Sequence, residues 1–131
     1  MMSIIQKDLD LPKVDNTLLT NFIQRWKGTN GTERANYQLF LTELCSVLHL
    51  PSPEPASKDT NNNAYVFERR VDISSPDGSM NTGFIDLYRR DCFVLEAKQT
   101  GKTLGSQGWD KAMLAAHNQA DNYVRALSAA E

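Results

Sequence analysis

The sequence predicts an α/β fold in which two N-terminal helices precede a three-stranded antiparallel sheet and a C-terminal helix packs on that sheet. Apolar residues recur at spacings of three and four across Phe40, Leu41, Leu44 and Leu48, which marks an amphipathic helix. A second helical face carries Trp109, Ala112, Met113, Ala116, Ala120, Tyr123 and Leu127. Between the two lie short segments rich in aromatic and β-branched residues, beginning at Tyr65, Phe84 and Cys92 and separated by turn formers. At 131 residues the chain buries one modest core and not two, so a single domain is expected.

The first thirty residues supply a lead-in and the N-terminal helix. The second helix begins near Thr32, where Asn30 and Glu33 have the spacing of a capping box and Gly31 interrupts the chain. Glu33 there has an ordinary use, an acid facing the positive end of the helix dipole, beside a sharper one as a third acid for the site described below. His49 ends this helix, where a cation is favoured. Pro51, Pro53 and Pro55, then Asn61, Asn62 and Asn63, predict an irregular link to the first strand. Residues Asp72 to Met80, with Pro76-Asp77-Gly78 at the tip, predict the turn between the first two strands. Thr100 to Gly108 form a glycine-rich loop containing Gly101-Lys102-Thr103. The earlier glycine at the spacing a phosphate-binding loop needs is missing, which excludes nucleotide hydrolysis by that motif. On the last helix Gln119 lies one turn from Tyr123. The plain reading is a core aromatic with an amide at its boundary; the alternative is an amide that contacts a phosphate or holds a lysine.

Chemistry concentrates in the segments Phe84 to Tyr88 and Cys92 to Lys98, which read as a β-hairpin joined by Arg89-Arg90-Asp91. Alternation puts Glu96 and Lys98 on one face and Phe93, Leu95 and Ala97 on the other. A two-residue turn at Arg90-Asp91 pairs Asp86 with Leu95 and separates the acids. A three-residue loop of Arg90, Asp91 and Cys92, closed by a residue in the left-handed region, sets Asp86 opposite Glu96 instead, and this is the expected register. Two carboxylates so placed repel unless a cation neutralises them. Hard oxygen donors with no Cys or His nearby select magnesium or manganese. Asp86 and Glu96 are the candidate metal ligands. Lys98 is the candidate to orient or deprotonate an attacking water, or to offset charge growing on phosphorus. The bland alternative is a solvated ion pair on an exposed strand; the apolar neighbours of both acids weigh against it, because unpaired charge is expensive there.

These residues resemble a known family. Arg25-Trp26-Lys27-Gly28, Thr32-Glu33-Arg34, Gln38, Leu44-Cys45, Tyr65-Val66-Phe67-Glu68, Phe84-Ile85-Asp86 and Cys92 to Lys98 are together similar to the N-terminal domain of MmeI-like restriction–modification enzymes, within the PD-(D/E)xK nuclease superfamily. The resemblance runs from about Phe22 to Leu127. It implies a restriction-endonuclease-like core and a metal-dependent endonuclease acting on double-stranded DNA. It implies magnesium or manganese held by Asp86, Glu96 and the backbone carbonyl of Ala97, a catalytic Lys98, and supporting roles for Glu33 and Gln119. It further implies a longer parent chain, in which a helical linker, an adenine methyltransferase using S-adenosylmethionine and a target-recognition domain follow. Two departures stand out. Ile85 occupies the position of the superfamily's proline, and the core's final strand has no counterpart before Glu131. The second departure predicts a fragment, or a short product whose open sheet edge can pair with another copy.

A formal net charge of −2 and a pI near 5.7 exclude a global basic field. Affinity for DNA then rests on local residues such as Arg89, Arg90, Lys98, Lys102 and Lys111, or on other domains. Cys45 and Cys92 lack Cys-X-X-Cys spacing and are expected as free thiols in a reducing compartment. His49 and His117 have no metal-ligand spacing. No apolar run approaches a membrane span and Met1 to Ile5 lacks a signal-peptide core, so a cytoplasmic location is expected. Two other functions fit the same sequence. One is a catalytically silent DNA-binding or scaffolding module of a methyltransferase. The other is a protein-interaction domain that uses an open sheet edge and forms a concentration-dependent homodimer.

Overall fold

In a computed structural model, which describes residues 15–29, 31 and 33–127 without the side chain of Glu33, helix α1 spans Asn16–Lys27. Asp15 starts it by accepting the Thr17 N–H at 2.8 Å, and Arg25 and Lys27 oppose the dipole at its end. The helix buries no residue fully. It docks through Phe22 and Trp26, whose rings lie 5.2 and 5.3 Å from Phe40 of helix α2, Glu33–Val47. The Trp26 indole donates to Glu43 at 2.6 Å, and Arg25 reaches the same carboxylate at 3.2 Å.

Helix α2 buries Leu41 and Cys45, as its apolar stripe requires, and Val47 as well, whereas Leu48 falls beyond the helix and is partly exposed. Its C-terminus turns on His49 at φ 55, with the His49 N–H bonded to Ser46 and the Leu50 N–H to Cys45. That pair of bonds is a Schellman closure, with histidine where glycine is usual. The Asn30–Glu33 capping box lies outside the described residues. In the link that follows, the asparagine run is more ordered than its composition suggests. Asp59 caps a 3₁₀ turn over Thr60–Asn62, and buried Asn63 both accepts from and donates to the Ser57 backbone, at 2.7 and 3.0 Å.

The sheet is antiparallel in the order β1-β2-β3, comprising Tyr65–Ser74, Met80–Arg89 and Phe93–Leu95. The first hairpin is tighter than its sequence suggests. Asp72, Ile73 and Ser74 pair with Thr82, Asn81 and Met80, leaving the turn to Ser75 through Ser79 around Gly78 at φ 84. The second hairpin has the odd-length loop: Arg89 pairs with Phe93, and Arg90, Asp91 and Cys92 lie between, with Asp91 left-handed at φ 56. This sets Leu87 against Leu95, and Asp86 and Glu96 are the next residues along. Strand β3 is shorter than the predicted Cys92 to Lys98, because regular pairing stops at Leu95.

The sheet separates two clusters of buried side chains. On the α2 side Tyr65 and Leu87 pack with Leu41 and Cys45, joined by Phe67, Phe93 and Leu95. On the other side Val66, Val71, Ile85 and Tyr88 pack with Tyr123 of helix α3, Gln107–Ala126. Strict alternation would put Val66 and Val71, or Ile85 and Tyr88, on opposite faces. Both strands therefore reverse their faces between those residues, and the reversal falls at Glu68, which is left-handed at φ 54. Its place in the register, between Phe67↔Leu87 and Arg69↔Ile85, is opposite Asp86. Val66, Ile85, Leu87 and Tyr88 are fully buried, each worth about 1.5–3 kcal/mol of transfer free energy.

Helix α3 starts at Gln107, before the expected Trp109, with the Ser106 hydroxyl accepting the Trp109 N–H at 3.3 Å. It fits the sheet because Gly83 has no side chain. A Cβ there would lie 2.5 Å from the Tyr123 ring. Among the described residues no strand follows α3 and no helix is long and apolar enough to cross a membrane.

Candidate metal centre

The reversal at Glu68 and Asp86 governs the site. Where β3 ceases to pair, the side chains of Asp86 and Glu96 take over the backbone donors that a longer ladder would have used. Asp86 accepts the Ala97 N–H at 2.8 Å, and Glu96 accepts the Asp86 N–H at 3.3 Å. The two acids thus clasp each other's strands, and both are half-buried. Glu96 is pushed up to about 7, first by burial and then by the charge of Asp86; the Asp86 N–H and the charge of Lys98 pull it back only in part.

Those donors fit a hard divalent cation. They are all oxygen, and the charge of Asp86 raises the Glu96 carboxyl, a penalty that a bound cation would relieve. Among the described residues no three His, Cys, Asp or Glu side chains converge to hold an ion. Magnesium commonly accepts such a set, with one or two carboxylates and the remaining positions filled by water and substrate oxygen.

The other sequence-predicted residues divide. Lys98 is exposed two residues beyond Glu96, close enough for its charge to act on that carboxyl. Glu33 is the first residue of α2, and its side chain lies outside the described set. Gln119 is tied to Tyr123, donating to its hydroxyl at 3.0 Å, and not to either acid. Tyr123 is buried against Gly83, so the tyrosine is a core residue. Arg89 stacks 5.1 Å from the Tyr65 ring and Arg90 donates to the Asn61 carbonyl at 2.8 Å, which fastens the hairpin base to the linker. Both cysteines are free: Cys45 is buried 3.2 Å from the Tyr65 hydroxyl, and Cys92 is exposed in the hairpin loop.

One contact beside the acids is absent from the sequence reading. The Tyr37 phenol of α2 donates to Glu68, Gln38 donates to the Tyr37 oxygen at 3.1 Å, and the Tyr37 ring packs edge-on to Phe67. Burial first, then the hydrogen bond to Glu68 and the charges of Glu68 and Asp86, push the phenol up to about 12. The available signal was that Glu68 interrupts an apolar strand and that Tyr37 precedes the apolar stripe of its helix.

Fold and site together define an α/β domain whose candidate metal centre is carried by a β-hairpin. The chain belongs to the family described as MmeI, N-terminal domain, which it matches over residues 17–131. That membership makes it a restriction-enzyme-related domain and gives it a restriction–modification context. No curated protein and no solved structure matches the chain.

Proposed function

We propose that this chain is a metal-dependent endonuclease domain that hydrolyses phosphodiester bonds of double-stranded DNA within a larger restriction–modification protein. The observation that carries the reading is the three-residue loop at Arg90, Asp91 and Cys92. Its register brings Asp86 and Glu96 into mutual contact with Lys98 two residues on. Family membership supplies the context.

In this reading Asp86 and Glu96 hold magnesium, or manganese, with the Ala97 carbonyl as a further donor. The cation, when bound, supplies Lewis acidity and activates water for attack on phosphorus. Lys98 orients the attacking water and offsets negative charge developing on the phosphate. The apolar residues around both carboxylates keep them in place and lower the local dielectric, which strengthens each of these interactions. Glu33 and Gln119 are supporting residues, Glu33 from the start of α2 and Gln119 through Tyr123. Target selection and methylation with S-adenosylmethionine belong to other domains of the parent protein, and cutting both strands takes two copies of the site.

Calorimetric titration of the chain with manganese or magnesium tests this. Wild type binds; Asp86→Ala abolishes binding; Lys98→Ala binds but, placed in the full-length parent, does not cut plasmid DNA. A folded wild type that binds no metal, or Asp86→Ala binding as wild type does, overturns the proposal.

A further inference from the structure

Glu68 has no assigned part in the acid pair, yet its placement is held by both backbone and side chain. It falls opposite Asp86 in the β1–β2 register, at the point where both strands exchange faces. Its backbone is left-handed inside a strand, which a glutamate adopts rarely. A tyrosine from a different element holds one of its carboxylate oxygens, and that tyrosine is itself fixed by the Gln38 amide and by edge-on packing against Phe67. A solvated surface glutamate needs none of this. The arrangement places a carboxylate at the surface opposite Asp86 in the register, while Glu96 meets Asp86 from the other neighbouring strand.

Glu68 nevertheless does not complete a three-acid cage, since no such group exists among the described residues. A carboxylate just outside direct reach of an ion that keeps several of its waters has one clear use, to accept hydrogen bonds from those waters. On the metal-dependent reading above, we propose that Glu68 is a third carboxylate of the metal site, acting through water and not as a direct ligand, and that Tyr37 is its positioning residue. Tyr37 restrains one carboxylate oxygen and leaves the other to face the cation's surroundings. This also gives α2, which contributes no described ligand, a way to govern the site.

The test is manganese calorimetry on wild type, Asp86→Ala, Glu68→Gln and Tyr37→Phe, with water-proton relaxation counting the waters on bound manganese. Glu68→Gln keeps the shape of the side chain and Tyr37→Phe keeps the ring on Phe67, so both should retain the wild-type circular dichroism and thermal transition. Glu68→Gln is expected to weaken manganese about 10–100-fold, the usual effect of losing a partner outside the ligand set, with the water count unchanged. Tyr37→Phe is expected to weaken it in the same direction by a smaller factor. Binding lost in Asp86→Ala but unaltered in folded Glu68→Gln overturns this inference alone. A water count that rises by one in Glu68→Gln also overturns it, by making Glu68 a direct ligand. Failure of wild type to bind metal overturns both this inference and the function on which it rests.

Discussion

Replacing Glu96 by glutamine should make the metal-free chain more stable at alkaline pH and leave it nearly unchanged at acid pH. The folded chain holds the Glu96 carboxyl up at about 7, against an ordinary value of 4.5. At about 1.4 kcal/mol per pH unit the difference is at most about 3.5 kcal/mol, and because the side chain is half-buried, solvent screening reduces it to about 1–2 kcal/mol. The sign follows from proton binding. Below pH 4.5 the carboxyl is protonated in folded and unfolded chains alike, and its contribution to stability is complete. As pH rises the unfolded chain ionises first, and the contribution is lost as pH passes through about 7. Glutamine cannot ionise and still accepts the Asp86 N–H. In urea denaturation with chelator present, the variant should match wild type within about 0.5 kcal/mol at pH 5 and exceed it by about 1–2 kcal/mol at pH 8. In a thermal scan at pH 8 that corresponds to about 4–7 °C. Excess manganese should then reverse the order, since ligand at about one hundred times its dissociation constant adds about 2.7 kcal/mol to the state that binds it. Parallel pH curves for the two proteins would refute the reasoning, because they would mean that Glu96 ionises freely and is under no pressure from burial or from Asp86.

Gly83→Ala should destabilise the chain by about 1–3 kcal/mol in chemical denaturation, as overpacking does, because the new methyl meets the buried Tyr123 ring at 2.5 Å. Tyr123→Phe should not rescue it, since the closest ring atom is a carbon and not the hydroxyl. At the hairpin loop, Asp91→Gly should be neutral or stabilising by up to about 1 kcal/mol, while Asp91→Val should cost about 1–2 kcal/mol, because the left-handed backbone at φ 56 suits glycine and excludes a β-branched residue. Equal stability of these two variants would show that the loop does not hold Asp91 in that conformation.

What was legible in the sequence depended on whether a local rule decided it. The second and last helices followed from apolar spacing, and the register of the acids followed from loop length once a left-handed residue was allowed at Asp91. The extent of the strands did not follow. Polar Asp72, Thr82 and Asn81 gave no strand signal, yet they pair because the turn at Gly78 brings them together. Strand β3 looked longer than it is because nothing local reveals that Asp86 takes the Ala97 N–H from the ladder. The exchange of faces was invisible, since a glutamate in a strand does not announce a positive φ, and with it the Tyr37 contact was invisible too. The supporting place given to Gln119 rested on family resemblance, and the structure shows only its bond to Tyr123.

The exchange of faces makes Asp86 a joint between two separately built halves. The residues immediately preceding it in β2 are anchored through Ile85 and Gly83 to α3, and Leu87, which follows it, is anchored to α2. Loosening either half frees one flank of the aspartate, and with it the opposing glutamate. Under the proposed function, a nascent or partly melted chain would therefore carry no assembled pair of acids, so that the capacity to cut DNA arises last in folding and is the first thing lost when the fold is damaged.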